Sequence, residues 1–134
     1  MTKFWIPVLF WAGVIYSFST LQVEPASTIS WQDFVVKKSA HLVEYAILFL
    51  LSYRALLNTT KLSRTKSAFI AFLIALLYGA SDEIHQSFTP GRGPNVRDVL
   101  IDGLGAGIAW FGLWKYLPVW PRRLKNLAKI LQIS

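Results

Sequence analysis

Cysteine is absent from this 134-residue chain, which removes disulfides, thiolate nucleophiles and cysteine metal ligands together. Charge is scarce as well. Asp, Glu, Lys and Arg make up 16% of the residues, against about 25% in an ordinary soluble domain. No repeat, low-complexity tract or H-E-x-x-H spacing occurs, and neither Ser81 nor Ser87 sits in a nucleophile motif. The chain is too short for two full domains. What it has instead is apolar residues, 54% of the total, arranged in long blocks that neither alternate nor recur every third or fourth position. That pattern reads as an integral membrane protein. The net charge of +7 raises nucleic acid as a partner, but the placement of the cations argues for topology and lipid instead.

A membrane helix needs about 20 mainly apolar residues. Four stretches qualify: residues 4–21, 39–57, 68 to about 88, and 98–117, the last stopped by Pro118. The first reads as a retained span and not a cleaved leader, since Lys3 is its only basic lead-in and no small-x-small site follows. With the N-terminus inside, the cytoplasmic side collects Lys3, Arg54, Lys61, Arg64, Lys66, Lys115, Arg122, Arg123, Lys125 and Lys129, and the outer side keeps Lys37, Lys38, Arg92 and Arg97. The positive-inside rule then selects an N-in, C-in orientation. The expected fold is all-α: a four-helix transmembrane domain over 1–117, followed by a basic amphipathic tail, 118–134, lying on the anionic cytoplasmic leaflet. The segment QVEPASTISWQDFVV reads as a long outer loop and FTPGRGPNVR as a turn.

The polar residues converge in this topology. Lys37, Lys38, His41, Glu44 and Tyr45 share one face at the outer end of the second span, and Ser52 continues it deeper. The third span ends GASDEIHQ, placing Tyr78, Asp82, His85 and Gln86 on one face with Glu83 beside it. Asp82 lies roughly 21 Å from the inner boundary at about 1.5 Å per residue, in the outer third of the core. On the fourth span Asp98 and Asp102 begin a stripe that continues as Gly105, Ala109 and Gly112, while Gly103 and Gly107 add a second small-residue ridge. An acid at mid-membrane costs about 2.5–3.5 kcal/mol even on lenient insertion scales, and a membrane hydrogen bond returns only about 0.6 kcal/mol. The expectation is therefore an outer-facing pocket with a task, rimmed by Arg92 and Arg97.

The stretches KKSAHLVEYAILFLL and YGASDEIHQSFTPGRGPNVRDVLIDGLGAGIAW resemble the two signatures of the VanZ-like membrane proteins over about residues 5–117. In that family K-x-x-H-x-x-E-Y opens one helix, D-E-x-H-Q closes the next, and P-G-R leads into the last. Carried over by position, the resemblance implies Lys38, His41, Glu44, Tyr45, Asp82, Glu83, His85, Gln86, Arg92 and Asp98 as signature residues; Asp102 stands where the family more often has Asn. It also implies a bacterial cytoplasmic-membrane location and an association with teicoplanin-type glycopeptide resistance.

Three functions compete. In the first, the pocket binds a phosphate-bearing lipid, an envelope precursor or a glycopeptide-related ligand through Lys37, Lys38, Arg92 and Arg97, with Tyr45, Gln86, Asp98 and Asp102 lining it. In the second, His85 acts as general base, oriented by Asp82 or Glu83, on an envelope lipid. The third is proton-coupled transport, which would require an oligomer because the inner half of the spans is poor in polar groups. No metal, cofactor or nucleic acid is expected.

Overall fold

The computed structural model describes residues 2–20, 30–88 and 96–133. The described residues form α1 (Thr2–Thr20), α2 (Ser30–Thr59), α3 (Arg64–Gln86), α4 (Val96–Tyr116), a 3₁₀ turn (Leu117–Val119) and α5 (Arg122–Ile130), with no strand among them. α2 begins earlier than the expected span. Residues 30–36, read from sequence as loop, are helical, because the chain from Ser30 onwards holds neither Pro nor Gly until Gly79. The expected turn between the third and fourth spans lies mostly outside the described residues. Ser63 caps α3 by accepting from the Lys66 amide at 3.4 Å. Pro118 ends α4 within one turn, as its missing N–H requires.

Two of the helices, Val35–Thr59 within α2 and Arg64–Gln86, are long and apolar enough to cross a membrane. α1 and α4 form over the expected residues but do not join them: α4 carries Arg97, Asp98, Asp102 and Lys115, and α1 opens on Thr2 and Lys3.

α4 packs most extensively on α2 and next on α3, α2 also packs on α3, and α1 lies along α2. The core between them is built from Ile15, Tyr45, Leu48, Phe49, Ala55, Ala71, Ala75 and Ala106. Glycine decides how closely α4 sits. A Cβ at Gly105 would run into the Leu42 carbonyl of α2, and one at Gly103 would meet Leu76 Cδ1 of α3 at 3.1 Å. The two ridges thus serve two neighbours, and α4 wedges between α2 and α3. Gly112 has nothing within 4 Å of such a Cβ and contributes no close approach.

The tail folds back onto the end of α2. Asn58 Nδ2 donates to the Gln132 carbonyl at 3.0 Å and Arg54 donates to Gln132 Oε1 at 3.2 Å. Gln132 holds a positive φ of 56°, while the Gln132 and Ile133 amides reach back to the Lys129 and Ala128 carbonyls at 3.0 Å. That is the Schellman pattern that closes a helix. Ala128 is buried, and Leu124, Leu127, Ile130 and Leu131 are exposed, so α5 presents an apolar face outward.

Candidate functional site

α2 and α4 both run away from the polar end, so equivalent turns of the two helices meet in parallel register. Three residues along α2 and four along α4 each advance about one turn, and two pairs result. Lys38 Nζ lies 2.6 Å from Asp98 Oδ1, and His41 Nδ1 lies 3.1 Å from Asp102 Oδ1. Gly105, one turn beyond Asp102, sets the helix separation that makes the second pair possible. The side chains of Lys38 and Asp98 are 19% and 17% exposed; those of His41 and Asp102 are 18% and 2% exposed. Lys38 and Asp98 are thus about equally accessible, whereas in the second pair His41 is the more accessible partner and Asp102 is sealed inside.

α3 completes the far wall. The Gly79 position faces Asp102 Oδ2, which a Cβ would meet at 3.0 Å, and Tyr45 Cε1, which it would meet at 3.3 Å. One turn on, Asp82 is buried and accepts from Gln86 Nε2 at 2.7 Å. Asp82 stands within electrostatic reach of Glu44, Tyr45 and Asp102, so acids from three helices share one buried region. The Tyr45 ring stacks 6.4 Å from His41, and its wholly buried hydroxyl has no hydrogen-bond partner among the described residues. α1 closes the side. Trp11 Nε1 donates to the Glu44 carbonyl at 2.9 Å, and the Tyr78 hydroxyl donates to the Ala12 carbonyl at 2.6 Å.

The spacing of these groups on α2, α3 and α4 runs through the VanZ/LLP1 family profile, which matches residues 3–118. The chain belongs to the VanZ/LLP1 family. No curated protein and no solved structure matches it. Membership and the two apolar helices together make it a membrane protein.

Of the residues that the resemblance implies as signature positions, the structure brings together Lys38, His41, Glu44, Tyr45, Asp82, Gln86 and Asp98, with Asp102 at the centre. Glu83 is buried at the end of α3. His85, half-buried, lies with its ring 4.7 Å from Tyr16 of α1, whereas the histidine that holds a carboxylate is His41. Arg97 is exposed at the start of α4, and Arg92 lies outside the described residues. Among the described residues no three His, Asp or Glu side chains converge as metal ligands. Gly79, Trp11 and Tyr16 are contributors that the sequence reading did not single out. Gly79 had a signal, since it is a small residue one turn before Asp82 on the polar face, but glycine on a membrane helix is too common to pick out unaided.

Chemically, the His41–Asp102 pair is the arrangement that fixes an imidazole. A carboxylate on Nδ1 sets the tautomer or stabilises the imidazolium, and it leaves Nε2 as the second nitrogen for another partner. Lys38 offers three donors and an imidazolium two, so a carboxylate partner orients each cation without exhausting it.

Proposed function

We propose that this VanZ/LLP1 protein recognises the anionic head of a phosphate-bearing envelope lipid or precursor at the polar end of its helix bundle, and through it influences envelope properties and teicoplanin-type susceptibility. The observation that carries the reading is the partly buried His41–Asp102 pair beside Lys38–Asp98: an imidazole and an ammonium group side by side, each oriented by a carboxylate. Arg92 and Arg97 stand at its rim in this reading. In the same proposal four helices cross the bacterial cytoplasmic membrane, N-in and C-in, so that the polar end faces outward and α5 rests on the inner surface. The charge bias of the loops supports that orientation.

The test uses a polyisoprenyl phosphate and the matching polyisoprenol, each added in micelles to the purified chain, with thermal stabilisation as the readout. The phosphate is expected to stabilise the protein and the alcohol not, with His41→Gln and Lys38→Gln each weakening the effect about tenfold, the loss of one charge-assisted hydrogen bond of about 1.5 kcal/mol. Equal responses to phosphate and alcohol would sink the reading. In cells, the same variants are expected to abolish any change in teicoplanin sensitivity that the parent confers.

The His41–Asp102 geometry favours a second reading, general-base catalysis on the bound lipid, with Nε2 taking a proton from water or a hydroxyl. Turnover lost in His41→Gln while the phosphate still binds would move the protein into that class.

A further inference from the structure

At the end of the bundle opposite the polar cluster lies a cavity of about 620 Å³ lined by Tyr53 of α2, Arg64 and Ala68 of α3, Gly107, Trp110 and Trp114 of α4, and their neighbours. Ligand sites occupy roughly 300–1,000 Å³. The lining is chiefly apolar and aromatic, with Trp110 braced edge-on against Phe69 and tilted against Phe72. It extends from Gly107 to Pro118. At about 1.5 Å per residue that stretch covers roughly 16 Å, close to the depth of one leaflet of a hydrocarbon core about 30 Å thick.

The charged groups here are cationic. Arg64 lines the cavity, and Lys115 Nζ lies 5.3 Å over the ring of Phe111, another lining residue. These cations have no carboxylate side chain to meet at this end, because no Asp or Glu occurs between residues 45 and 81 or after residue 102. Glu44, Asp82, Glu83, Asp98 and Asp102 all belong to the helix segments that build the polar end. An external anion is therefore the natural counter-charge for Arg64 and Lys115. In a membrane protein the available anion beside an apolar slot one leaflet deep is a lipid phosphate, and basic pockets at helix ends on the basic side of a bundle take such head groups. We propose that this cavity is a binding site for an anionic phospholipid of the adjoining leaflet, one acyl chain lying along Gly107, Trp110 and Trp114 and the phosphate on Arg64 and Lys115. The site is separate from the polar cluster and stands whether or not that cluster binds a lipid.

Native mass spectrometry of the full chain in detergent, with dioleoyl phosphatidylglycerol and dioleoyl phosphatidylcholine added in equal amounts, tests it. The phosphatidylglycerol adduct is expected to dominate by roughly fivefold or more, the equivalent of about 1 kcal/mol for a cation near an anionic surface. Arg64→Ala is expected to retain adducts but lose most of that preference, and Arg64→Lys to keep it. Gly107→Leu is expected to lower adducts of both lipids; its Cβ would meet only Phe72 Cε2, at 3.9 Å, an ordinary van der Waals contact, and Gly107 itself lines the cavity. Melting temperatures close to the parent establish that all three variants are folded. Equal adducts of the two lipids, indifferent to Arg64→Ala and Gly107→Leu, would overturn the proposal in favour of unspecific annular lipid. A dimer that carries no lipid and dissociates in Gly107→Leu would overturn it in favour of a second copy covering the groove.

Discussion

Gly105→Ala tests the link between packing and the site most directly. The added methyl would run into the Leu42 carbonyl of α2, and the obstacle is helix backbone, which cannot swing aside like a side-chain tip. α4 must therefore back away from α2. Overpacking of this kind costs about 1–3 kcal/mol, offset by up to about 1 kcal/mol for replacing glycine in a helix interior, which leaves a net loss of roughly 1–2 kcal/mol. At about 4 °C per kcal/mol for a chain of this size the melting point falls by roughly 4–8 °C. The displacement also stretches the His41–Asp102 contact, which at 3.1 Å is already near the upper end of good hydrogen-bond geometry. Lipid-phosphate stabilisation should therefore fall along with the melting point. Gly112→Ala is the control, because no atom lies within 4 Å of its Cβ; the helix-propensity gain then stands alone and the melting point should hold or rise. A thermal melt of the three proteins in one detergent decides the matter. If Gly105→Ala melts at or above the parent, the glycine does not set the α2–α4 separation.

Other outcomes follow from single distances. The Lys38–Asp98 pair, at 2.6 Å and less than one-fifth exposed, should show a double-mutant coupling above the roughly 0–1 kcal/mol of surface pairs, and exchanging the two residues should recover part of the loss of either single reversal in melting experiments. Gly79→Ala should destabilise by about 1–2 kcal/mol, because its methyl meets Asp102 and Tyr45 at 3.0–3.3 Å; a neutral melt would mean that α3 does not wall the site. Tyr78→Phe deletes the bond to the Ala12 carbonyl and should cost about 0.5–1.5 kcal/mol, read in the same melt, with protease sensitivity rising in α1. Leu127→Asp on the exposed face of α5 should leave the melting point in detergent within the equivalent of about 0.5 kcal/mol but raise protease access to the tail in anionic liposomes. Unchanged access there would remove α5 from the lipid surface.

Helix existence, the location of the polar face on each helix and family membership were all legible in the residues, because they rest on local quantities: apolar blocks, a repeat of 3.6 residues per turn, and motif spacing. Pro118 stopped a helix for reasons internal to its own turn. Partner choice was not legible. His41 and Asp102 are 61 positions apart, and periodicity places each on a face without saying which opposing turn it meets. The sequence pointed to His85 oriented by Asp82 or Glu83; the fold sets His85 beside Tyr16, joins Asp82 to Gln86 and pairs His41 with Asp102. The small-residue pattern suggested close approach but not its direction, and only packing gave Gly105 to α2 and Gly103 to α3. The cavity at the basic end was equally out of reach, since an empty volume belongs to no residue and exists only once three helices have been set side by side.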